Sequence, residues 1–224
     1  MDASSVTSPV VETIDAARIF NRGGRSFEAL RAASCRVFPG ERIAILGPSG
    51  SGKSTLLHLL GGLDRPTSGR VAWPELGSIL DLRPKSIAVV PQSPSLVPWL
   101  STVENVELPV LLGSKARTAR DRATASLENL GLANLADRLP QELSGGQAQR
   151  VAMARALMGD CKLILADEPT GQIDGATTAA LFDAVLTHLA SRDAALVVAT
   201  HDPAVAARMG KSWRMDHGVL DTAS

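Results

Sequence analysis

Four short apolar runs stand out along the chain, each four or five residues long and rich in isoleucine, valine, leucine and alanine. They are Arg42–Leu46, Ile87–Val90, Leu163–Ala166 and Leu196–Thr200. Short continuous apolar runs of this kind are typical of parallel strands that are covered on both faces. Polar residues follow each run directly, and ligands of open α/β sheets bind outside the carboxyl ends of the strands. The pattern therefore predicts a mainly parallel sheet with one shared site at one edge.

Longer segments with helical composition lie between and after these runs. Leucine, alanine, arginine and glutamate are prominent in Lys115–Leu130 and Gln147–Met158, and Ala176–Leu189 carries an apolar stripe at helical spacing. We interpret residues of about 95–155 as an α-helical subdomain inserted into the sheet domain. Pro9–Val37 alternates weakly between apolar and polar positions, which predicts an antiparallel β edge subdomain. The expected architecture therefore has two lobes, one built on the sheet and one helical.

Composition narrows the class of protein. The 224 residues suit a single domain, expected over residues 9–224 after a flexible N-terminus of residues 1–8. A net charge of zero, 3% aromatic residues and the absence of tyrosine disfavour a nucleic-acid surface, so no nucleic-acid partner is expected. No run approaches the ~18 apolar residues of a membrane span, and residues 1–8 do not resemble a signal peptide. Cys35 and Cys161 lack metal-ligand spacing, which predicts buried or partly buried, reduced thiols in a soluble cytosolic protein.

A glycine-rich motif follows the first apolar run directly. It fits the pattern G-x-x-x-x-G-K-[ST] and consists of Gly47, Pro48, Ser49, Gly50, Ser51, Gly52, Lys53, Ser54 and Thr55. In such a loop the backbone N–H groups surround phosphates, the lysine reaches the β and γ oxygens, and the hydroxyl after the lysine binds Mg²⁺. A plain strand-to-helix turn is the structural alternative, but the Lys-Ser-Thr ending and the apolar helical pattern that follows favour a phosphate loop. The motif predicts a P-loop NTPase core of the α/β class.

Polar residues also follow the other three runs. Asp167 and Glu168 follow the third run directly. The aspartate would hold Mg²⁺, and the glutamate would orient and activate the attacking water. An acidic turn closing a strand is the alternative, which the phosphate loop makes the weaker one. Gln92 and His201 follow the second and fourth runs. Because the strands are predicted to end at one sheet edge, His201 is expected beside Lys53 and Glu168, in reach of the γ-phosphate.

A third motif lies just upstream of the acidic pair. The sequence Leu-Ser-Gly-Gly-Gln comprises Leu143, Ser144, Gly145, Gly146 and Gln147. Ser144, with a glutamine three residues later, predicts the N-cap and capping box of a helix. A helix N-terminus with two glycines is also suited to bind an anion. Since the phosphate loop already provides one anion site, a second one on the helical lobe suits a nucleotide shared between two chains.

The order and spacing of these motifs resemble those of the ATP-binding cassette (ABC) ATPases over nearly the full length of the chain. By that resemblance, Gly47–Thr55 is the Walker A loop, Leu143–Gln147 is the signature, and Leu163–Glu168 is the Walker B strand with its catalytic glutamate. Ser144–Gln147 would bind ATP together with the Walker A loop of another chain. The implied ligands are ATP and Mg²⁺, with the metal held by the residues Ser54, Gln92 and Asp167.

The resemblance extends to residues outside the three main motifs. Gln92 matches the Q-loop glutamine and His201 the switch histidine, and the resemblance implies a catalytic role for both alongside the Walker B glutamate. Gly171–Asp174 resembles the D-loop, with Asp174 among the nucleotide-binding residues. Phe20 stands where the family stacks adenine on an aromatic residue. Packing within an edge strand is the alternative interpretation of this side chain.

The resemblance to this family also implies an assembly of more than one chain. A homodimer, or a pair of ABC subunits, is expected to close around two ATP molecules and to drive an integral-membrane permease, so that the chain lies peripherally on the inner face of the cell membrane. His58–Gly69 and Val103–Pro109 are most similar to the lipoprotein-release and macrolide-export group. Pro91, Ile173 and the short stretch from Arg70 to Ile87 depart from the common pattern.

Two other interpretations of the function stay open. One is a regulatory ABC ATPase that acts on a membrane partner without transport, and the other is a soluble non-transport ABC ATPase that works on DNA or ribosomes. The latter usually carries long coiled-coil insertions or tandem cassettes, which a neutral chain of 224 residues does not suit. The apolar cluster Leu96–Leu100 also has two interpretations. It either packs within the helical lobe or forms a groove that receives a short helix of the permease.

Overall fold

The structure is a computed structural model that describes residues 7–77, 82, 86–112 and 116–223. Residues 1–6 of the predicted flexible N-terminus lie outside these residues, as does Lys115, the first residue of the predicted helix Lys115–Leu130. The strands are β1 (Val11–Arg22), β2 (Arg25–Val37), β3 (Arg42–Leu46), β4 (Ser68–Ala72), β5 (Ile87–Val90), β6 (Leu163–Asp167), β7 (Ala195–Thr200), β8 (Lys211–Asp216) and β9 (Val219–Asp221). The α-helices are α1 (Lys53–Leu60), α2 (Thr102–Leu111), α3 (Ala119–Asn129), α4 (Gly145–Met158), α5 (Gly175–Ala190) and α6 (Pro203–Ala206).

The main sheet has the strand order β5-β6-β7-β3-β8-β9. Its first five strands are parallel, and β9 pairs antiparallel with β8. All four predicted strands are present, and two of them have the predicted bounds. β6 extends one residue further, to Asp167, and β7 begins one residue earlier, at Ala195. β8 was not predicted, because exposed residues alternate with buried Trp213 and Met215 and leave no continuous apolar run.

The antiparallel edge subdomain predicted from Pro9–Val37 is confirmed as a second sheet with the order β2-β1-β4. β1 and β2 form a long hairpin whose turn contains Gly23 and Gly24, both in the left-handed region. Glycine adopts this conformation at little cost, so the two residues suit a tight turn. The hairpin pairs Phe20 with Phe27 directly across the two strands.

The helical lobe consists of α2, α3 and α4, which fall within the predicted insertion except that α4 continues to Met158. α2 was not predicted as a separate helix, because Pro109 interrupts its helical composition. A complete capping box starts α2: Glu104 N–H donates to the Ser101 hydroxyl, and Ser101 N–H donates to the Glu104 carboxylate. The second predicted helix starts two residues earlier than expected, at Gly145, and the third spans Gly175–Ala190.

Alternate residues of the central strands point into two separate hydrophobic cores. Ile164 and Leu196 pack with the helical lobe and α5, whereas Leu163 and Val197 pack with α1 and the antiparallel sheet. Every residue of β6 and β7 is buried. The main sheet is therefore covered on both faces, which explains why its strands read as continuous apolar runs. The carboxyl ends of β3, β6 and β7 are the part of these strands left to form a site.

Candidate active site

The phosphate loop joins the end of β3 to the start of α1, and two of its glycines are required by close packing. A Cβ atom on Gly47 would lie 2.1 Å from the carbonyl oxygen of Met215 in β8. Gly52 has φ 108°, and a Cβ atom there would lie 2.4 Å from the carbonyl oxygen of Ala29. The loop thus lies directly against the backbone of two neighbouring strands, where side chains have no room. The residues from Ser49 to Thr55 line a cavity on the other side of the loop.

Lys53, the first residue of α1, folds back over this loop. Its Nζ atom donates hydrogen bonds to the carbonyl oxygens of Gly47 (2.7 Å) and Pro48 (3.0 Å). The same atom lies 3.7 Å from Oε1 of Glu168, and only 6% of the lysine side chain is exposed. The ammonium group is therefore held between the phosphate loop and the acidic end of β6, where it can compensate phosphate charge.

Glu168 adopts an unusual backbone conformation directly after β6. Its φ angle is +45°, in the left-handed region that residues with a side chain seldom occupy. Its N–H donates to the carbonyl oxygen of Ala199 (2.9 Å), and its own carbonyl accepts from Gly171 N–H (3.2 Å). A second donor, Gln149 Nε2, lies 3.3 Å from the same carbonyl oxygen. Such conformations are found at active sites when the surroundings hold them in place.

His201 follows β7, the neighbour of β6, and contacts the same glutamate. Its Nδ1 atom lies 2.8 Å from Oε2 of Glu168, while 71% of the histidine side chain is exposed. One carboxylate thus faces Lys53 through one oxygen and His201 through the other. The predicted meeting of these three side chains at one sheet edge is present. Their arrangement can orient the carboxylate while leaving the histidine in contact with solvent or a bound phosphate.

Asp167, the last residue of β6, is suited to a metal ion. Its side chain is 7% exposed, and its Oδ1 atom is buried without a hydrogen-bond partner among the described residues. Asp167, Ser54 and Gln92 all line one cavity of about 210 Å³. Carboxylate, hydroxyl and amide oxygens are the ligands that Mg²⁺ prefers, and Mg²⁺ usually completes its shell with water and phosphate oxygens. The donor set therefore fits this ion.

The same cavity contains most of the predicted phosphate loop and one aromatic residue that was not predicted. The loop residues that line it run from Ser49 to Thr55. Phe27, 61% exposed, also lines it, whereas Phe20 is absent from the described lining residues. Phe20 pairs with Phe27 across the hairpin and carries the Arg18 guanidinium 4.5 Å from its ring centre. The role of Phe20 in stacking adenine stays a prediction, and Phe27 is the aromatic residue among the described lining of this cavity.

The signature motif starts α4 with the predicted capping box. The Ser144 hydroxyl accepts from Gln147 N–H (3.2 Å), and Gln147 Oε1 accepts from Ser144 N–H (2.8 Å). A Cβ atom on Gly145 would lie 1.5 Å from Oε1 of Gln172, and one on Gly146 would lie 2.6 Å from the Gln172 carbonyl oxygen. Among the described residues, none of Ser144–Gln147 lines the phosphate cavity of its own chain. The structure therefore separates the signature from the phosphate loop.

Asp174 closes the D-loop-like segment and caps α5. Its side chain accepts from Thr177 N–H (2.9 Å) and from the Thr177 hydroxyl (2.7 Å). These hydrogen bonds, the backbone one foremost, lower the pKa of the Asp174 carboxyl below its ordinary value. Asp174 does not line the phosphate cavity within the part of the chain described. Its predicted role in binding nucleotide therefore stays a prediction, while its role as a helix cap is plain.

Gln149 is the residue that sequence reasoning missed at this site. It lies on α4, is 1% exposed, and makes hydrogen bonds to the backbone of Gln92, Glu168 and Gln172. The sequence offers one signal for it. Gln149 is polar but lies on the same helix face as Ala152 and Met153, three and four residues later, which are both buried.

Comparison with known proteins decides the family. The profile of the family described as ABC transporter matches residues 30–171, more than half of the chain. The chain belongs to the ABC transporter family. Its resemblance to the lipoprotein-release and macrolide-export group is also confirmed by the relatives described next.

Two curated ABC relatives cover nearly the whole chain. The lipoprotein-releasing system ATP-binding protein LolD of Legionella pneumophila (strain Paris) is 42% identical over 209 residues, which cover 90% of this chain and 92% of the relative. The macrolide export ATP-binding/permease protein MacB of Sodalis glossinidius (strain morsitans) is 42% identical over 209 residues, covering 90% of this chain but 32% of MacB. The match to LolD spans both proteins, whereas the match to MacB corresponds to about one third of it.

A solved structure supports the fold and the activity. The ATP-binding cassette MJ0796, in a dimeric post-hydrolysis state bound to ADP and Pi, superposes with a TM-score of 0.85 at 32% sequence identity, covering 96% of this chain and 99% of that one. The ABC ATPase fold and the ATP-hydrolysing activity predicted from the sequence are thereby confirmed. In the described part of the chain, no helix combines the length and hydrophobicity needed to cross a bilayer.

Proposed function

We propose that this chain hydrolyses ATP with Glu168 as the general base, in a site that a second copy completes, and that the cycle powers a membrane permease. The observation that carries the proposal is the contact of one carboxylate with both Lys53 (3.7 Å) and His201 (2.8 Å) beside the phosphate loop. In the proposed reaction, a water oxygen attacks the γ-phosphorus and the bond to the β–γ bridging oxygen breaks. The carboxylate takes the water proton, and ADP and phosphate leave.

Separate residues would bind and orient the substrate. The N–H groups of the phosphate loop and the Lys53 ammonium would hold the β- and γ-phosphates, as the cavity lining allows. Ser54, Gln92 and Asp167 would hold Mg²⁺, which supplies charge neutralisation for the phosphate oxygens when bound. His201 keeps the Glu168 carboxylate oriented and would contact the γ-phosphate from the exposed side. Phe20 and Phe27 are the aromatic residues available to the adenine.

The other half of the site would come from a second copy of the chain. Ser144–Gln147 are outside the lining of their own phosphate cavity, yet they begin a 14-residue helix with a complete capping box. The partial positive charge of a helix N-terminus acts on an anion only within about the first turn. This end of α4 would therefore contact the γ-phosphate of ATP bound to the other chain, as the dimeric state of the similar cassette MJ0796 also suggests.

An apolar groove between the two lobes is the proposed docking site for the permease. A cavity of about 220 Å³ is lined mainly by apolar residues, namely Leu63, Ile87, Ala88, Val89, Pro109, Arg155, Ala156 and Cys161. The residues of the predicted cluster Leu96–Leu100 have different environments. Leu96 packs against the core of the helical lobe, whereas Trp99 is 77% exposed. Arg155 joins the two features, because its guanidinium donates to the backbone and hydroxyl oxygens of Ser95.

A short apolar helix of the permease fits such a groove, and Gln92 lies just before the cluster. A contact between Gln92 and ATP would then shift the neighbouring cluster and the permease helix docked there. The relatives LolD and MacB are named for lipoprotein release and macrolide export, so the proposed substrates are large amphiphilic molecules and the proposed location is the inner face of the membrane.

Replacement of Glu168 tests the proposed chemistry. Glu168→Gln keeps the shape of the side chain but removes its basicity, so kcat should fall by about 10²–10⁴-fold while ATP still binds. Because the reset step is blocked, a dimer should accumulate in gel filtration with ATP and Mg²⁺. If the variant turns over ATP normally, Glu168 is not the base.

Trp99 and Leu63 test the docking surface. Leu63 is 48% exposed and lines the groove. Trp99→Ala and Leu63→Ser should leave the basal ATPase activity of the isolated chain within about twofold, since surface substitutions seldom change stability by more than about 0.5 kcal/mol. Each should weaken co-purification with the co-expressed permease. A matched control is Val219→Ser, which changes an exposed apolar residue of β9. Equal retention of the permease by all three variants would contradict the groove assignment.

A further inference from the structure

One buried side chain connects two loops that surround the active site, through three hydrogen bonds. The amide of Gln149 lies on α4, two residues after the signature glutamine. Its Nε2 atom donates to the carbonyl oxygens of Gln92 (3.3 Å) and Glu168 (3.3 Å), and its Oε1 atom accepts from Gln172 N–H (3.2 Å). The residue is 1% exposed. A single side chain therefore bonds to the loops after β5 and β6 and to the segment that covers the signature glycines.

The contact to Glu168 has particular weight. The backbone of Glu168 is held in the left-handed region at φ +45°. Two of the bonds that hold it, from Gly171 N–H and to the Ala199 carbonyl, come from its own turn and the adjacent strand. Among the described hydrogen bonds to the Glu168 backbone, the one from Gln149 comes from the helical lobe. Because the carboxylate direction follows from this backbone conformation, movement of Gln149 would redirect the carboxylate.

We infer that Gln149 is a positioning residue that sets the catalytic glutamate and links it to the signature helix. It acts through the Glu168 carbonyl, not on the substrate. Since Gln149 and Ser144 belong to the same rigid helix, a shift of α4 when the signature engages nucleotide is passed on to Glu168 and Gln92. This inference rests on the proposed role of Glu168 as the base.

If Gln149 had a purely structural role, its replacement would lower stability without a specific loss of kcat. Any buried amide that loses its hydrogen bonds leaves partners unpaired and lowers stability. Thr102 offers a matched control, since it is 0% exposed and its hydroxyl donates to the Arg138 carbonyl (3.0 Å) within the helical lobe. Gln149→Met and Thr102→Val each remove buried hydrogen bonds without changing side-chain size greatly. Both should lower Tm by a few degrees, about 2–6 °C.

Kinetics should separate the two variants. Gln149→Met should lower kcat by about 10–10²-fold with the KM for ATP nearly unchanged, because a misplaced catalytic group affects the chemical step and the phosphate loop is untouched. Thr102→Val should keep kcat within about twofold. A kcat for Gln149→Met that equals the Thr102→Val value would overturn the inference. If Gln149→Met does not fold, Gln149→Asn carries the same comparison, since it keeps an amide that is too short to reach all three partners.

A double-mutant cycle then tests whether the effect passes through Glu168. Single-turnover hydrolysis of radiolabelled ATP is measured in the Glu168→Gln background with and without Gln149→Met. The loss caused by Gln149→Met should shrink to less than about threefold there, because there is no longer a base to position. An undiminished loss in that background would refute the link. Normal turnover by Glu168→Gln alone would instead refute the proposed base, which distinguishes the two failures.

Discussion

The two ends of the candidate site differ in how far one chain completes them. At the phosphate loop, the backbone packs so closely against β2 and β8 that Gly47 and Gly52 have no room for a side chain, and Lys53 is already held in place. At the signature, Ser144 and its capping box fix the start of α4, but no residue of the motif lines the chain's own cavity within the described part. The first end is a finished binding site, whereas the second is a prepared helix end that needs another chain.

Complementation between two inactive variants should give the largest effect. Its failure would contradict the conclusion that the signature completes the site of another chain. Lys53→Ala removes the phosphate-binding charge and Ser144→Arg blocks the signature, so each should lower ATPase activity by about 10²-fold or more. A mixture contains dimers with one defective composite site and one intact one. Partial ATPase activity should reappear on mixing, as measured by phosphate release.

Strict coupling between the two sites would change only the readout of this experiment. Activity would then stay absent, but ATP-dependent dimerisation of the mixture should exceed that of either variant alone. Circular dichroism of each variant serves as the folding control. If mixing restores neither activity nor dimerisation, the signature does not complete the site of the other chain.

Substitutions of two glycines at equivalent helix positions test the same difference between the two ends of the site, with a smaller expected loss of activity. Gly145 and Gly175 are each the first residue of a helix, after the N-caps Ser144 and Asp174. A Cβ atom on Gly145 would meet the Gln172 side chain at 1.5 Å, whereas one on Gly175 would meet nothing within 4 Å. Gly175→Ala should therefore be neutral or stabilise the protein by about 0.4–1 kcal/mol. Gly145→Ala should fold but lower kcat/KM by about tenfold, near 1.4 kcal/mol in transition-state free energy.

A second substitution identifies what Gly145 must avoid. Gln172→Ala removes the side chain that a Cβ atom on Gly145 would strike. If contact within the chain explains the loss, the double variant should recover ATPase activity. If it stays inactive while Gln172→Ala alone is active, the space beside Gly145 is needed for the nucleotide of the other chain. Recovery would argue against the comparison of a finished and an unfinished site.

The smallest effect concerns Ser144 as a helix cap. Ser144→Ala should lower the free energy of unfolding by about 0.5–2 kcal/mol, because the cap to Gln147 N–H is lost. Ser144→Asp should retain stability, since aspartate is an equally good N-cap. Urea unfolding measures both. Despite its stability, Ser144→Asp should hydrolyse ATP poorly, because its carboxylate repels the γ-phosphate; normal ATPase activity in this variant would place Ser144 away from the nucleotide.

The sequence predicted those parts of the fold that depend on continuous burial or on a fixed motif. β3 and β5 have the predicted bounds, and the meeting of Lys53, Glu168 and His201 follows from parallel strands ending at one edge. β8 escaped prediction because it alternates charged and buried residues, although its Met215 forms the wall behind Gly47.

Residues that act through tertiary contacts were harder to predict. Gln149 was missed because its three partners are backbone groups far away in the sequence, and no spacing rule connects them. Phe27 was missed for a similar reason: the register of the β1–β2 hairpin, not the sequence pattern, brings it to the phosphate cavity. Cys35 and Cys161 are buried as predicted, and burial raises the pKa of each thiol to about 11.

The packing of β8 against the phosphate loop has a consequence for synthesis of the protein. Gly47 lies against the Met215 carbonyl, and Gly218 N–H donates to the Ser51 carbonyl (2.9 Å). The phosphate loop is synthesised early, but Met215 and Gly218, which pack against it, are synthesised more than a hundred and sixty residues later. A nascent chain that ends before Gly218 therefore lacks the framework that shapes its phosphate loop. We therefore expect a chain truncated before β8 to bind ATP weakly, because its phosphate loop lacks these contacts.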